Sequence, residues 1–255
     1  MDLPLDEAFR AFGADPRREL DGALLVSRIV RPHTDSAWCQ REITRLAERL
    51  SDHPSAEELV TALRQEGFAG ASDYYEAENS AIDYVLRERH GIPISLAVVV
   101  LAVAEQCGVQ AQGINFPGHF LIAFDGQLAD PYTLTLIDED DRRERLASCG
   151  TPPALALRPA TPIDLTMRML NNLRGLAVAR GDHLGAITLT DYQLIIAPDP
   201  FAIHLARIEL WNALGAATMV HRELERAIAV APSPPAKQVA EAALQRLRAD
   251  APTLH

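Results

Sequence analysis

The sequence predicts an α+β chain in which a small antiparallel sheet is set among helices, and three observations predict it. Apolar residues recur at helical spacing over roughly the first hundred positions. HFLIAF and QLADPY then flank Asp125-Gly126, a dipeptide that between apolar strands is the strongest short-range hairpin signal. Beyond the hairpin the helical pattern returns with a period of 34 residues.

Taken in order, residues 1 to about 70 read as helices parted by polar breaks. Ala23, Leu24, Ile29 and Val30 lie in one apolar segment. Ile43, Leu46, Ala47 and Leu50 form a stripe of helical period that ends at Ser51-Asp52. Leu59, Val60, Leu63 and Phe68 make a third, closed by Gly67 and Gly70. Asn79 is placed as the N-cap of a helix with Ile82, Val85 and Leu86 on one face, stopped by Gly91 and Pro93. Ser95 to Gln106 is apolar nearly all round; its length, with Pro93 before it and Gly108 after, favours a buried helix over a strand. GVQAQGINF then reads as a strand leading into the hairpin.

From Ile137 to Pro162 the chain is first charged (DEDDRRER) and then Pro-rich, the character of a connector. Beyond it Ala197-Pro198 recurs as Ala231-Pro232, Leu194 as Ile228 and Pro200 as Pro234, all 34 residues apart. That is the period of a tetratricopeptide repeat, with a final helix expected at about 236–249. The expected domains are therefore 1–160 and 161–255, the second too short to stand as a free array.

Of 255 residues, 24 are Lys or Arg and 35 are Asp or Glu, a formal charge of -11 that argues against a nucleic-acid partner. The first twenty residues place acids where a signal peptide has positive charge. The longest apolar run, Leu96 to Ala104, is about half of what a bilayer crossing needs, so no membrane partner is expected. Cys39, Cys107 and Cys149 are widely spaced and suggest free thiols in the cytoplasm. No histidine falls in a metal-binding spacing, and neither metal nor cofactor is expected. His204 and His221 are read as surface or packing residues of the repeat helices.

A two-residue turn at 125–126 pairs Phe124 with Gln127, hence Leu121 with Asp130 and His119 with Tyr132. Alternation then puts His119, Leu121, Asp130 and Tyr132 on one face, with His119 and Asp130 as diagonal neighbours. A carboxylate so placed fixes an imidazole tautomer, as in a catalytic triad. A buried structural histidine and a turn aspartate account for the same residues. Ser95, at a helix start, is either a cap for the backbone N–H groups or a nucleophile beside an oxyanion-stabilising helix end. Asn115 is a second candidate for the oxyanion and Tyr132 a candidate for the cleft wall.

The stretch NSAIDYVLRERHGIPISLAVVVLAVAEQCGVQAQGINFPGHFLIAF closely resembles the SirB family of bacterial proteins. The matching features are Asn79-Ser80, Arg89, Gly91-Ile92-Pro93, Ser95-Leu96 and Phe116 to Phe120. The resemblance implies a papain- or transglutaminase-like core followed by tetratricopeptide-like repeats. It implies too that a cysteine at the start of the core helix would face His119 and Asp130. Pro93 occupies that cysteine's slot, and Cys107 lies near the far end of the same helix, about 20 Å away at 1.5 Å per residue. A thiol mechanism is therefore not expected. Two readings follow: a binding or regulatory protein whose degenerate site and repeats engage a peptide or protein partner, or a hydrolase or acyl transferase using Ser95, His119 and Asp130.

Overall fold

The computed structural model describes residues 3–73 and 75–249, which fall into two compact units, 1–169 and 170–255. The first opens with α1 (Leu5–Ala14), α2 (Glu19–Val30), α3 (Ser36–Ala47) and α4 (Ala56–Gln65). Next come β1 (Ala69–Gly70), α5 (Ile82–Glu88), β2 (His90–Gly91) and α6 (Pro93–Gln106). A sheet of β3 (Ala111–Ile114), β4 (Leu121–Phe124), β5 (Gln127–Asp130) and β6 (Thr135–Ile137) follows, then α7 (Glu139–Ser148) and α8 (Pro153–Ala156). The boundary between units falls inside α9 (Pro162–Ala179).

α6 is the core of the first unit. Every residue from Pro93 to Ala104 is buried, and α2, α3, α4, α5 and two sheet strands pack round it. A helix apolar on all sides has to be enclosed in this way. It begins at Pro93, two residues earlier than the sequence suggested, because proline's fixed φ and missing N–H suit the first helical position. α5 also departs from expectation. Asn79 lies in a 3-10 turn (Ala77–Ser80) rather than at its cap. The cap is supplied from α2: the Ser27 hydroxyl accepts the Ile82 N–H at 2.7 Å and donates to the Ala23 carbonyl at 2.8 Å. No local sequence pattern reveals a cap borrowed from 55 residues away.

The four strands are antiparallel in the order β3-β4-β5-β6. The turn at Asp125-Gly126 and the pair Phe124↔Gln127 are as the sequence implied. One face of the sheet, with Gly113 and Phe124, turns toward α6; Leu101 lies at Gly113. The other face, with Ile114, Leu121 and Leu128, packs against Leu146, Ala156 and Leu157 of the following segment. The charged stretch expected as a connector is therefore a helix, α7, capped by the Asp138 carboxylate, and with α8 it roofs the sheet. The parallel pair β1–β2 was not foreseen.

The second unit continues with α10 (His183–Ile196), α11 (Phe201–Ala213), α12 (Ala217–Ala229) and α13 (Pro234–Ala249). Consecutive helices pack on one another, and α10 and α12 begin 34 residues apart. His204 is more than a surface or packing residue. Its Nδ1 lies 2.7 Å from the fully buried Glu223, which also accepts from Arg207 at 3.0 Å and Arg226 at 2.8 Å. No described helix is long and apolar enough to cross a membrane.

Between α3 and α5, Glu42 is gripped by Arg45 at 2.8 Å and by Arg89 at 2.5 Å. The Arg45 hydrogen bonds hold its carboxyl at about 2, burial opposing and Arg89 assisting. An ordinary Glu titrates near about 4.3. Because the folded value is depressed, the stabilisation from Glu42 is present in full above about pH 4.3 and is lost as pH falls toward about 2. Glu42→Gln is expected to flatten the fall in unfolding free energy across that window, measured by urea denaturation at stepped pH. An unchanged slope would contradict the assignment.

Candidate functional site

The segment that would open a catalytic helix is built around a hydroxyl. α5 ends at Arg89, whose positive φ of 61° swings the chain into β2. At Gly91 a Cβ would stand 2.7 Å from the Ser95 Oγ, so glycine makes room for that oxygen. Ser95 is fully buried, third in α6. Its hydroxyl donates to the Asn79 carbonyl at 2.6 Å and accepts the Ile92 N–H at 3.1 Å. The second bond is the backward arm of a capping box, with apolar Ile92 unable to supply the forward one. Gly91-Ile92-Pro93-x-Ser95 is thus a complete helix-start device: space, cap and preset φ. The one donor that Ser95 owns is committed to a backbone carbonyl, and it makes no hydrogen bond with His119.

His119 leaves the strand on which the sequence placed it. The β4–β5 ladder runs only from Ile122↔Ala129 to Phe124↔Gln127, and the expected pairing of His119 with Tyr132 does not form. The reason is the preceding Pro117-Gly118. The His119 N–H closes a turn on the Phe116 carbonyl at 3.0 Å, with Gly118 at φ 74°. Pro followed by positive-φ Gly is the signature of a type II turn. The imidazole is half-buried and has no hydrogen-bond partner among the described residues. Arg168 of α9 braces the loop from outside. It donates to the Asn115 side-chain oxygen and, at 3.3 Å, to the Phe116 carbonyl, with its guanidinium 5.7 Å from the Phe120 ring centre. Asn115 is therefore a loop brace rather than a free amide.

Asp130 faces the other way. By alternation it shares the sheet face of Leu121 and Leu128, away from α6, and it is buried. One carboxylate oxygen accepts the Tyr132 N–H at 2.9 Å; the other lies 3.4 Å from Arg145 of α7. Tyr132 reaches back to the β1 segment. Its hydroxyl donates to the Ala71 carbonyl at 2.8 Å, its carbonyl accepts the Gly70 N–H at 3.1 Å, and its ring fills the space a side chain at 70 would need. Pro93 is buried at the first turn of α6.

Ser95, His119 and Asp130 therefore do not form a hydrogen-bonded triad: each of the two polar ends is tied to something else. Arg145 and Arg168 hold the outline and escaped the sequence reading; the only available signal was the RRERL run that contains Arg145. Thiols do not fill the gap. Cys39 is buried and pushed up to about 12 by desolvation, and burial raises Cys107 as well. Among the described residues no group of His, Cys, Asp and Glu is arranged to hold a metal ion.

The chain is 28% identical over 246 residues to the UPF0162 protein PA3419 of Pseudomonas aeruginosa, covering 91% of each chain. It is 34% identical over 176 residues to a UPF0162 protein of Xylella fastidiosa, 62% of this chain and 63% of that one. It is also 31% identical over 157 residues to human F-box only protein 21, 56% of this chain but 25% of that protein. No solved structure matches it. The family model described as the transglutaminase-like superfamily matches residues 36–171, from the start of α3 into α9. Spanning the buried helix, the sheet and the displaced triad positions, that match makes the chain a member of the transglutaminase-like superfamily.

Proposed function

We propose that this chain is a cytoplasmic binding or regulatory protein of SirB type, a transglutaminase-like core that has kept its catalytic outline without a nucleophile. In this reading the 34-residue helix pairs of the second unit are tetratricopeptide-like and add a surface for a peptide or protein partner. The observation that carries it is the state of Ser95: fully buried, its hydroxyl proton held by the Asn79 carbonyl. A serine nucleophile needs a base within hydrogen-bond reach, and here the base position is empty of contact with it. Pro93, in the slot of the family's cysteine, offers no alternative. The arginine grips on Asp130 and on the His119 loop support the same view, since both serve to hold shape.

The competing hydrolase or acyl transferase would have Ser95 attack, His119 take its proton and Asp130 orient His119. A fluorophosphonate probe is expected to leave Ser95 of the native protein unlabelled, read by mass spectrometry of the peptide containing it. Labelling at Ser95 that vanishes in His119→Ala would overturn the binding reading. Ser95→Ala is expected to lower the unfolding free energy by about 1–3 kcal/mol, because it strands a buried carbonyl and a buried N–H. An unchanged denaturation midpoint would contradict the structural role. His119→Ala, which removes the base of the outline, is expected to complement a deletion strain as fully as the wild type. Lost complementation with an intact fold would count for catalysis.

A further inference from the structure

The outer edge of β3 is only half used. Because the hairpin closes on the pair Phe124↔Gln127, the Phe124 N–H and C=O turn toward β5. Its neighbour across the β3–β4 ladder, Ala111, must then turn its own N–H and C=O outward. Two residues on, Gly113 points the same way, and there the edge is occupied. Its carbonyl accepts the Ala160 N–H at 2.7 Å, and Ile114 bridges Pro159. The chain thus already lays an antiparallel segment of its own along this edge. At Pro162 it turns away into α9, and Ala111 is left without a main-chain partner among the described residues.

Two cavities flank the open stretch, and Val109 and Gln110 line both. The smaller, about 240 Å³, lies between the start of α2 and the end of α6 and reaches Ala111. Arg17 and Arg18 at its rim are already paired, with Asp15 at 2.7 Å and with Asp21 through a fork of 2.7 and 3.1 Å. Glu19 and Glu105 in the same lining form no ion pair among the described residues. Burial raises the Glu19 carboxyl, and the Glu105 charge adds to that. The Glu105 charge also acts on Arg18, but Asp15, Asp21, Glu19 and Glu105 set four carboxylates against the two guanidiniums, so the surround of the cavity is acidic. The larger, about 770 Å³, follows the hairpin tip; Asp125 is the charged residue of its lining, beside Gln110, Gln112 and Gln127.

We propose that the open edge of β3 takes an extended basic peptide segment of a partner protein as an added strand. The segment pairs with the Ala111 main chain and places a Lys or Arg side chain in the cavity between Glu19 and Glu105. Main-chain pairing supplies affinity and the side-chain cavity supplies selectivity, the division of labour in strand addition. The Pro159–Ala160 segment shows the edge competent for such pairing, and the acid around it sets the sign of the occupant. This inference rests on the binding reading above and names the partner's chemistry.

Fluorescence anisotropy of the full chain with a labelled short alternating Thr-Lys peptide tests it. The peptide is expected to bind, and an alternating Thr-Glu peptide is expected not to. Glu19→Gln combined with Glu105→Gln, both partly or wholly exposed sites, is expected to weaken binding about fivefold or more, equivalent to roughly 1 kcal/mol. In the wild type the peptide is expected to slow hydrogen exchange of the Ala111 amide. Absence of binding, equal binding by the double variant, or an Ala111 amide indifferent to the peptide would each overturn the proposal. Any of these with Ser95 still refractory to the serine probe removes the docking site and leaves the binding reading standing; labelling of Ser95 removes that reading instead.

Discussion

The hydrogen bond from the Ser95 hydroxyl to the Asn79 carbonyl is the constraint on which this core depends. It joins the 3-10 turn before α5 to the first turn of α6, two segments sixteen residues apart that meet only in the fold. The same oxygen receives the Ile92 N–H, so one side chain satisfies two main-chain groups at the entry to a helix buried over its first twelve residues. In so dry a place an unmade bond costs far more than a made one gains. Glycine at 91 and proline at 93 fit around this arrangement, the first by yielding space and the second by carrying no N–H that needs an acceptor.

That arrangement also sets Ser95 apart from the other two residues of the outline. The family resemblance implies a thiol facing a histidine at the start of this helix. Here the helix start is sealed by its own serine, and the other two members are held apart from it by different parts of the chain. Asp130 sits on the sheet face roofed by α7, where Arg145 neutralises it, while α6 packs on the opposite face. His119 is carried by a turn and braced through Arg168 rather than by an acid.

Much of the fold was legible because it is written in local pattern. Asp125-Gly126 gave the hairpin and its register, and the unbroken apolar run gave a buried helix. The candidate site was legible only as a set of residues. The acceptor for Ser95 is a backbone carbonyl, which leaves no mark on the residue type at 79. The Ser27 cap on α5 is hidden for the same reason. The displacement of His119 did have a signal, since Pro117-Gly118 is a turn pair and breaks the alternation that would carry the ladder to Tyr132. The charge of α7 masked its role: a helix without one buried residue still delivers Arg145 to Asp130.

The most direct test of the central claim is the reactivity of a thiol placed at the serine oxygen's position. Ser95→Cys would be treated with iodoacetamide across pH, with alkylation at residue 95 followed by peptide mass spectrometry. If position 95 is a sealed structural site, its thiol reacts more slowly than a free cysteine and catches up only when the protein unfolds. Rapid alkylation of the folded protein below about pH 7, lost when His119 is also changed to Ala, would reveal a thiolate paired with an imidazole. That result would contradict the account and restore position 95 to the catalytic machinery.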